Sequence, residues 1–204
     1  MKIRFLLLCL GCFLWGGCGN QGQHYVIEGT LPSVSYDGEW IYLVPMENAH
    51  GRVDSAKITD ATFTFSGIGE EMKVLRLRPL LRMQIQELLV VTEPGLIGVK
   101  ADSLGSVTGT PQNDALQKWK EGRERQQMAY RSVRTGLQSA TGRDSLLLMQ
   151  RYDTLRKQEQ EMNFLLMKEQ KNNTLGIFVQ KMLRCSLTEE QQKLLDENLP
   201  KEIH

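Results

Sequence analysis

The chain has 204 residues, which is enough for one sizeable domain or for one domain with a small helical addition. Hydrophobic residues make up 41% of it and charged residues 24%, so the composition is that of a folded protein and excludes wholesale disorder. The formal net charge of +1 gives no electrostatic footprint for a polyanion, and we expect no nucleic-acid partner.

The amino terminus, residues 1–17, has the pattern of a secretory signal peptide. A basic segment with Lys2 and Arg4 precedes the apolar run Phe5–Trp15, which is shorter than the about 20 residues that span a bilayer. The following Gly16-Gly17-Cys18 resembles the bacterial lipobox, although Trp15 stands where leucine is usual. We therefore predict a lipoprotein signal peptide over residues 1–17, a lipid anchor at Cys18 and a flexible tether over residues 18–23.

Two alternatives exist for this terminus. Cys12 is a competing acylation site, and a soluble secreted protein would leave Cys18 merely close to the cleavage point. Acylation of Cys18 with two or three chains would hold the protein firmly on a membrane, whereas one chain alone binds marginally. By resemblance to bacterial lipoproteins, the lack of Asp directly after Cys18 favours the outer membrane, and the lack of an acidic cluster there weighs against the cell surface. We expect a bacterial cell-envelope protein that faces the periplasm.

The four cysteines indicate no redox site in the mature chain. Cys9 and Cys12 have the C-x-x-C spacing, but they lie in the apolar leader and not at a strand-to-helix junction. Cys185 follows residues typical of a helix, where a free cysteine is usually a small buried side chain. We expect Cys185 to be buried and inert, with a reactive or intermolecular thiol as the alternative.

Residues 24–110 alternate short apolar runs with Gly- and Pro-rich turns, which predicts an all-β antiparallel sandwich. A helix over Leu75–Val91 is the alternative for one stretch, since its Leu, Arg, Met and Gln favour helix, but Pro79 and the flanking strands favour β structure. The predicted strands are His24–Leu31, Trp40–Val44, Val53–Ile58, Thr62–Gly67, Lys73–Arg78, Met83–Val91, Leu96–Lys100 and Ser106–Gly109.

The stretch Val53–Gly67 is predicted to be the hairpin around which the other strands pair. Phe63 and Phe65 alternate with hydroxyl side chains, which indicates one face in the core and one face in water. The gap Thr59-Asp60-Ala61 has the length of a hairpin turn. Trp40–Val44 is apolar on both faces and is predicted to be a central strand.

Residues 111–204 are predicted to be helical, beginning with a long helical hairpin. Thr110-Pro111 is typical of an N-cap followed by Pro at the first helical position, and Ser139–Gly142 separates the first helix from the second. A third helix over Leu175–Leu183 begins at Asn173 or Thr174. A capping box at Thr188–Gln191 begins a fourth helix, which Pro200 ends. The apolar stripes of the first two helices favour a core or helix-partner face over a ligand groove; their residues are Leu116, Trp119, Tyr130, Val133 and Leu137, then Leu148, Tyr152, Leu155, Met162 and Leu166.

The order of several short motifs resembles the bacterial domain of unknown function 4369. The motifs are Tyr25–Thr30, Ile41–Leu43, Val53–Ala56, Phe63–Gly67, Glu93–Gly95 and Val107–Thr110 with Asn113. This β-rich family commonly stands ahead of a thioredoxin-like domain in lipid-anchored thiol–disulfide proteins. The family often has Gly before the F-x-F strand, where this chain has Ala61, so we expect Asp60 to take a left-handed conformation. No W-C-x-x-C follows Leu187, so the resemblance transfers no redox residue to this chain.

No group of residues indicates a reaction, and we predict no catalytic, cofactor-binding or metal-binding residue and no cofactor. His24, His50 and His204 lack the spacing of a zinc site, Ser55 has only His50 as a nearby base, and Glu70-Glu71 is expected to be a solvated pair. The first hypothesis is a non-enzymatic binding or structural module, held on a membrane by its lipid and meeting an envelope protein partner. The alternative is an accessory or truncated relative of thiol–disulfide oxidoreductases that acts with a separate thioredoxin-like partner.

Overall fold

The computed structural model describes residues 24–46, 51–77 and 88–197. Eight strands come first, followed by four α-helices. The strands are β1 (His24–Thr30), β2 (Trp40–Pro45), β3 (Asp54–Lys57), β4 (Thr62–Ile68), β5 (Met72–Leu77), β6 (Leu88–Val91), β7 (Gly95–Lys100) and β8 (Ser106–Thr108). The helices are α1 (Pro111–Leu137), α2 (Gly142–Glu169), α3 (Thr174–Leu183) and α4 (Glu189–Glu197). The predicted leader, the Cys18 anchor, the tether, residues 83–87 and the stop at Pro200 lie outside the described residues.

The strands form two four-stranded sheets, in the orders β4-β1-β7-β8 and β3-β2-β5-β6. The segregated arrangement of strands followed by helices is confirmed, and β2 is a central strand as predicted. The expectation of wholly antiparallel pairing is wrong, because β1 pairs with β7 in parallel from Tyr25↔Gly95 to Thr30↔Lys100. Parallel neighbours need a long connection, and β1 and β7 are separated by the whole of the second sheet.

The predicted hairpin over Val53–Gly67 is also wrong, because β3 and β4 belong to different sheets. Ile58, which is 1% exposed, carries the chain across the core between them. The turn that follows has positive φ at Asp60 (51°) and Ala61 (54°), which confirms the expected left-handed Asp60. The carboxylate of Asp37 accepts hydrogen bonds from both backbone N–H groups, at 2.9 Å from Asp60 and 2.8 Å from Ala61. A distant side chain therefore stabilises a turn that looks local in the sequence.

The core of the β region is built on aromatic residues of β1 and β4. Phe63 and Phe65 are 3% and 6% exposed, as predicted, and their rings meet edge to face with centroids 5.9 Å apart. The ring of Phe63 lies over Gly29, its cross-strand partner, where any side chain would overlap it. Tyr25 covers Gly67 in the same way. Glycine in the middle of a strand is unfavourable by itself, and a covering aromatic ring restores the packing.

The helices begin and end close to the residues at which the sequence predicted their starts, breaks and caps. Pro111 begins α1, residues 138–141 separate it from α2, and the side chain of Asn173 caps α3 by accepting from the N–H of Gly176 at 3.0 Å. Thr188 and Gln191 form the predicted capping box in both directions, at 3.1 and 3.2 Å. In the described residues no helix is long and apolar enough to cross a bilayer.

The two helical stripes are only partly as predicted. Leu116, Trp119 and Val133 are buried in α1, but Tyr152 of α2 is 46% exposed. The buried residues at the start of α1, the end of α2 and in α3 join the same hydrophobic core as the strands. The helical region is therefore packed on the sheets at one end of the α1–α2 hairpin.

The expectation that Cys185 is buried is wrong. Cys185 is exposed, because α3 ends at Leu183 and the cysteine lies in the short 3₁₀ turn Arg184–Ser186. The helix ends two residues before Cys185, so the helical pattern from which burial was inferred does not include this side chain.

Candidate functional site

A buried polar junction joins the sheets to the helices. Glu93, 6% exposed, lies in the turn between β6 and β7, and its carboxylate meets the first turn of α1. The backbone N–H groups of Gln112 and Asn113 donate to Glu93 Oε1 at 2.7 and 3.1 Å. These N–H groups have no partner within the helix, and a negative charge is favoured at a helix amino terminus. Glu93 therefore caps α1 from a distance of about twenty residues along the chain.

Asn113 fixes α1 against the edge strand β6. Its Oδ1 accepts from the N–H of Val91 at 2.9 Å, and its Nδ2 donates to the carbonyl of Val91 at 2.8 Å. The same Nδ2 donates to Thr110 Oγ1 at 2.7 Å, so the Thr110 hydroxyl holds Asn113 instead of capping the helix. Asn113 is 0% exposed, and its amide pairs with the backbone as a further strand would.

Gln112 extends the junction to α3. Its Oε1 accepts from the N–H of Leu175 at 2.9 Å, and its Nε2 donates to Glu70 Oε1 at 2.7 Å and to Glu93 Oε2 at 3.3 Å. Glu70 Oε1 also accepts from the hydroxyl of Thr174 at 2.7 Å. One amide thus connects two carboxylates and the amino termini of two helices.

Glu70 is exposed, as expected, while Glu71 is half-buried; the hydrogen bonds of Glu70 give it a structural role in the junction as well. Burial by itself raises its pKa, but the hydrogen bonds from Gln112 and Thr174 outweigh that effect, so the pKa of Glu70 lies below its ordinary value. Glu71, the other half of the expected pair, lies near Lys73 Nζ at 3.6 Å. The amino termini of α1 and α3 and the loop that carries Glu70 are held together by charge-assisted hydrogen bonds.

The second feature is a groove of about 440 Å³ between α1 and α2. Gly122 allows the helices to approach there, because a side chain at this position would meet Met162 Sδ. Trp119 is held at the base by a hydrogen bond from its Nε1 to Asn163 Oδ1 at 2.9 Å. The apolar lining consists of Ala115, Trp119, Met162, Leu165 and Leu166, of which Leu165 is 44% exposed.

The two rims of the groove carry opposite charges. Lys118 and Arg125 line it from α1, and Glu161 and Glu169 line it from α2. All four side chains are exposed. A volume of this size with an apolar base and a few polar edges is typical of a binding site, and the antiparallel helices give it an elongated form. The helical stripes were predicted to be a core or helix-partner face rather than a ligand groove. Trp119 and Leu166 belong to the hydrophobic core and also line the groove.

The residues weighed earlier as sites do not come together in the described part of the chain. His24 is exposed at the start of β1, while His50 and His204 lie outside the described residues. Asp54 pairs with Arg52 at 3.3 Å and Lys73 at 3.8 Å, and Ser55 is exposed on the edge strand β3. Across residues 24–46, 51–77 and 88–197, no three His, Cys, Asp or Glu side chains are grouped as metal ligands.

The sequence signalled the polar junction only in part. Glu93-Pro94-Gly95 was identified as a turn and Asn113 as a motif residue, but neither pattern indicated that Glu93 and Asn113 are in contact. The pattern that could have indicated the junction is a helix start, Thr110-Pro111, followed by two amides in the first turn, where apolar residues would be expected on a core-facing side.

The described residues thus form two four-stranded β-sheets, one of them mixed, which a buried polar junction ties to a helical hairpin. Residues 25–116 match the model of a family described as Domain of unknown function (DUF4369). The chain carries a DUF4369 domain, which ends in the first turns of α1 and includes both Glu93 and Asn113. Comparisons with curated proteins and with solved structures gave no match.

Proposed function

We propose that this chain is a lipid-anchored protein of the bacterial cell envelope that acts as a non-enzymatic binding module. Its site is the groove between α1 and α2, and its ligand is an amphipathic helix of an envelope protein partner. The observation that carries the proposal is the groove itself, with its apolar base and oppositely charged rims.

The shape and charge of the groove favour a helix as its occupant. An amphipathic helix lays its apolar face into a groove between helices through residues spaced three and four apart. Trp119, Met162 and Leu166 would receive that face. The basic rim at Lys118 and Arg125 favours acidic residues along one edge of the bound helix, and the acidic rim at Glu161 and Glu169 favours basic residues along the other.

The polar junction supports a structural role for its side chains. Glu93, Gln112 and Asn113 use their oxygens and nitrogens to satisfy backbone groups of β6, α1 and α3. Groups occupied in this way hold α1, which forms one side of the groove, and α3 in a fixed position on the sheets. That arrangement suits a rigid binding surface.

The proposed position in the cell depends on the amino terminus. Acylated Cys18 with the tether over residues 18–23 would hold the folded part close to the outer membrane on its periplasmic side. A partner helix would then come from another envelope protein within reach of the tether.

The test is site-specific photo-crosslinking in the cell from position 165, where the side chain lies in the groove and is 44% exposed. The matched control carries the same photoreactive residue in place of Ile177, also 44% exposed but on α3. We expect a discrete crosslinked species from position 165 and none of the same mass from position 177. Absence of any species specific to position 165 would contradict the proposal.

A second candidate function is favoured by one observation, the exposure of Cys185. An accessible thiol is needed if the chain is an accessory to a separate thioredoxin-like partner. Dithiol chemistry passes through a mixed disulfide that a second thiol resolves, and Cys185 is the one cysteine among the described residues. We expect the chain from Gly19 onward to show no insulin reduction with dithiothreitol above the no-protein rate. Activity that disappears in Cys185→Ser would replace the first proposal with the second.

A further inference from the structure

The far end of the α1–α2 hairpin, residues 128–152, is here named the hairpin tip. With 27 and 28 residues, the two helices are each about 40 Å long. Within the described residues, the hydrogen bonds that join the hairpin to other elements occur no further along α1 than Lys120 and no earlier on α2 than Gln160. Among the described residues, the hairpin tip therefore extends beyond the sheets and beyond α3 and α4.

The inner seam of the hairpin tip is packed well enough to hold its shape. Val133 is 1% exposed, and the rings of Tyr130 and Tyr152 lie with centroids 5.1 Å apart. Tyr130 donates its hydroxyl hydrogen to Glu159 Oε2 at 3.1 Å. Leu148 packs against Gly136, where an added side chain would lie close to it. The two helices of the hairpin tip are therefore packed on each other, and their outer surface is free to contact another molecule.

That outer surface is apolar on the first two turns of α2. Leu146, Leu147 and Met149 are 63%, 53% and 56% exposed, and Met128 on α1 is 61% exposed. At about 100° per residue, the three side chains of α2 cover an arc of roughly 160° on the side away from α1. Apolar side chains spread over such an arc do not form one flat patch that a rigid protein surface could cover. A fluid bilayer surface can surround them.

The charged residues of the hairpin tip are mainly positive. The tip carries Arg131, Arg134, Arg143 and Arg151, and Asp144 is its one acidic residue. All four arginine side chains are exposed, and none of them forms an ion pair within the described part of the chain. Repulsion between these charges opposes the packing of two tips against each other. It favours a surface of negative charge.

From these observations we propose that the hairpin tip docks on the surface of a bilayer that contains anionic lipid. Leu146, Leu147 and Met149 enter the boundary between headgroups and acyl chains, and the arginines bind lipid phosphates. The inference is independent of the anchor at Cys18 and of the groove, since neither contributes a residue to the tip. It assigns the protein a second membrane contact that would orient the groove relative to the membrane.

The test uses the chain from Gly19 to His204, which lacks the anchor cysteine and keeps every described element. Co-sedimentation with vesicles of phosphatidylcholine and phosphatidylglycerol is compared with co-sedimentation with vesicles of phosphatidylcholine alone. We expect binding to the anionic vesicles that decreases with added salt. Arg131→Gln with Arg134→Gln should lower the partition coefficient about fivefold for each arginine. Leu146→Ser with Leu147→Ser should lower it roughly tenfold or more.

Matched controls are Ile68→Ser, which removes a side chain 64% exposed on β4, and Lys57→Gln, which removes an exposed charge on β3. Both should bind like the unaltered chain. The proposal is overturned if the unaltered chain does not bind anionic vesicles, if binding is equal on neutral vesicles, or if the controls weaken it as much as the tip variants. Binding to polyglutamate as strong as to vesicles, or self-association abolished by the tip variants, would assign another occupant and also overturn it.

Discussion

At the scale of single residues, the packing of Phe63 on Gly29 is a sharp requirement of the fold. Any side chain at Gly29 would overlap the ring of Phe63, whereas a side chain at Gly98 meets only ordinary contacts with Thr108 on the neighbouring strand. Both glycines lie inside strands of the same sheet and neither has a positive φ. The two positions therefore differ chiefly in what a methyl group would meet.

We predict that Gly29→Ala lowers the free energy of unfolding by about 1–3 kcal/mol, since an overpacked core forces the ring out of place. Gly98→Ala should be neutral or slightly stabilising, because it reduces only the freedom of the unfolded chain. Urea titration of both variants measures the difference. Equal effects of the two substitutions would show that the packing of the Phe63 ring does not require glycine at position 29.

The residue scale is also where sequence reasoning was most successful. The alternation of Phe63 and Phe65 with hydroxyl residues is a local pattern, and it predicted their burial correctly. Asp60 was expected in a left-handed turn for an equally local reason. The hydrogen bonds from this turn to Asp37 join residues more than twenty positions apart, and no periodicity could indicate them.

At the scale of elements, helix boundaries were predictable but strand partners were not. Caps and breakers lie next to the helix ends they determine, as Asn173 and the Thr188–Gln191 box show. The pairing of β1 with β7 depends on the whole path of the chain between them. The local sequence pattern therefore predicted the strands but not their order in the sheets. Cys185 was misjudged for another reason: the end of α3 at Leu183 was predicted, but the helical pattern does not show which side chains of the following turn are buried.

The polar junction has a consequence for stability that depends on pH. The pKa of Glu70 is lowered in the folded state, so its carboxylate stabilises the fold above the ordinary value of 4.5. That contribution is lost as the pH falls below 4.5 and through the lowered folded value. At still lower pH the side chain is protonated in both the folded and the unfolded chain, and it adds no further pH dependence.

We therefore predict that Glu70→Gln lowers the free energy of unfolding at neutral pH and reduces its loss between neutral pH and pH values below 4.5. Glu39→Gln, at an exposed position in the loop before β2, is the control and should leave both quantities unchanged. Urea titrations at a series of pH values measure the effect. A Glu70→Gln variant with the same pH profile as the unaltered chain would contradict the role assigned to this carboxylate.

At the scale of the whole molecule, the proposed function combines a predicted lipid anchor, a rigid scaffold and a groove. The junction around Gln112 fixes α1 and α3 on the sandwich, and α1 in turn presents one side of the groove. The family match covers the sandwich and the first turns of α1, whereas most of the groove lies beyond residue 116. Binding specificity would then reside in the part of the chain that the family model does not cover.

The anchor is tested by Cys18→Ala. We expect this substitution to abolish metabolic labelling with fatty acid and to release the protein from the membrane fraction, because the thiol of Cys18 is the predicted acylation site. Cys12→Ala is the matched control and should keep full labelling. Unchanged labelling of Cys18→Ala together with loss in Cys12→Ala would move the anchor to the competing site.

One crosslinking yield decides whether the groove binds a helix through its apolar base and charged rims. The yield from position 165 is measured in the cell with Glu169→Lys, which reverses one rim charge, and with Glu39→Lys, an equal charge change at an exposed position before β2, away from the groove. We expect a discrete species whose yield decreases several-fold with Glu169→Lys and stays the same with Glu39→Lys. An equal yield in both variants, or no species specific to position 165, would contradict it.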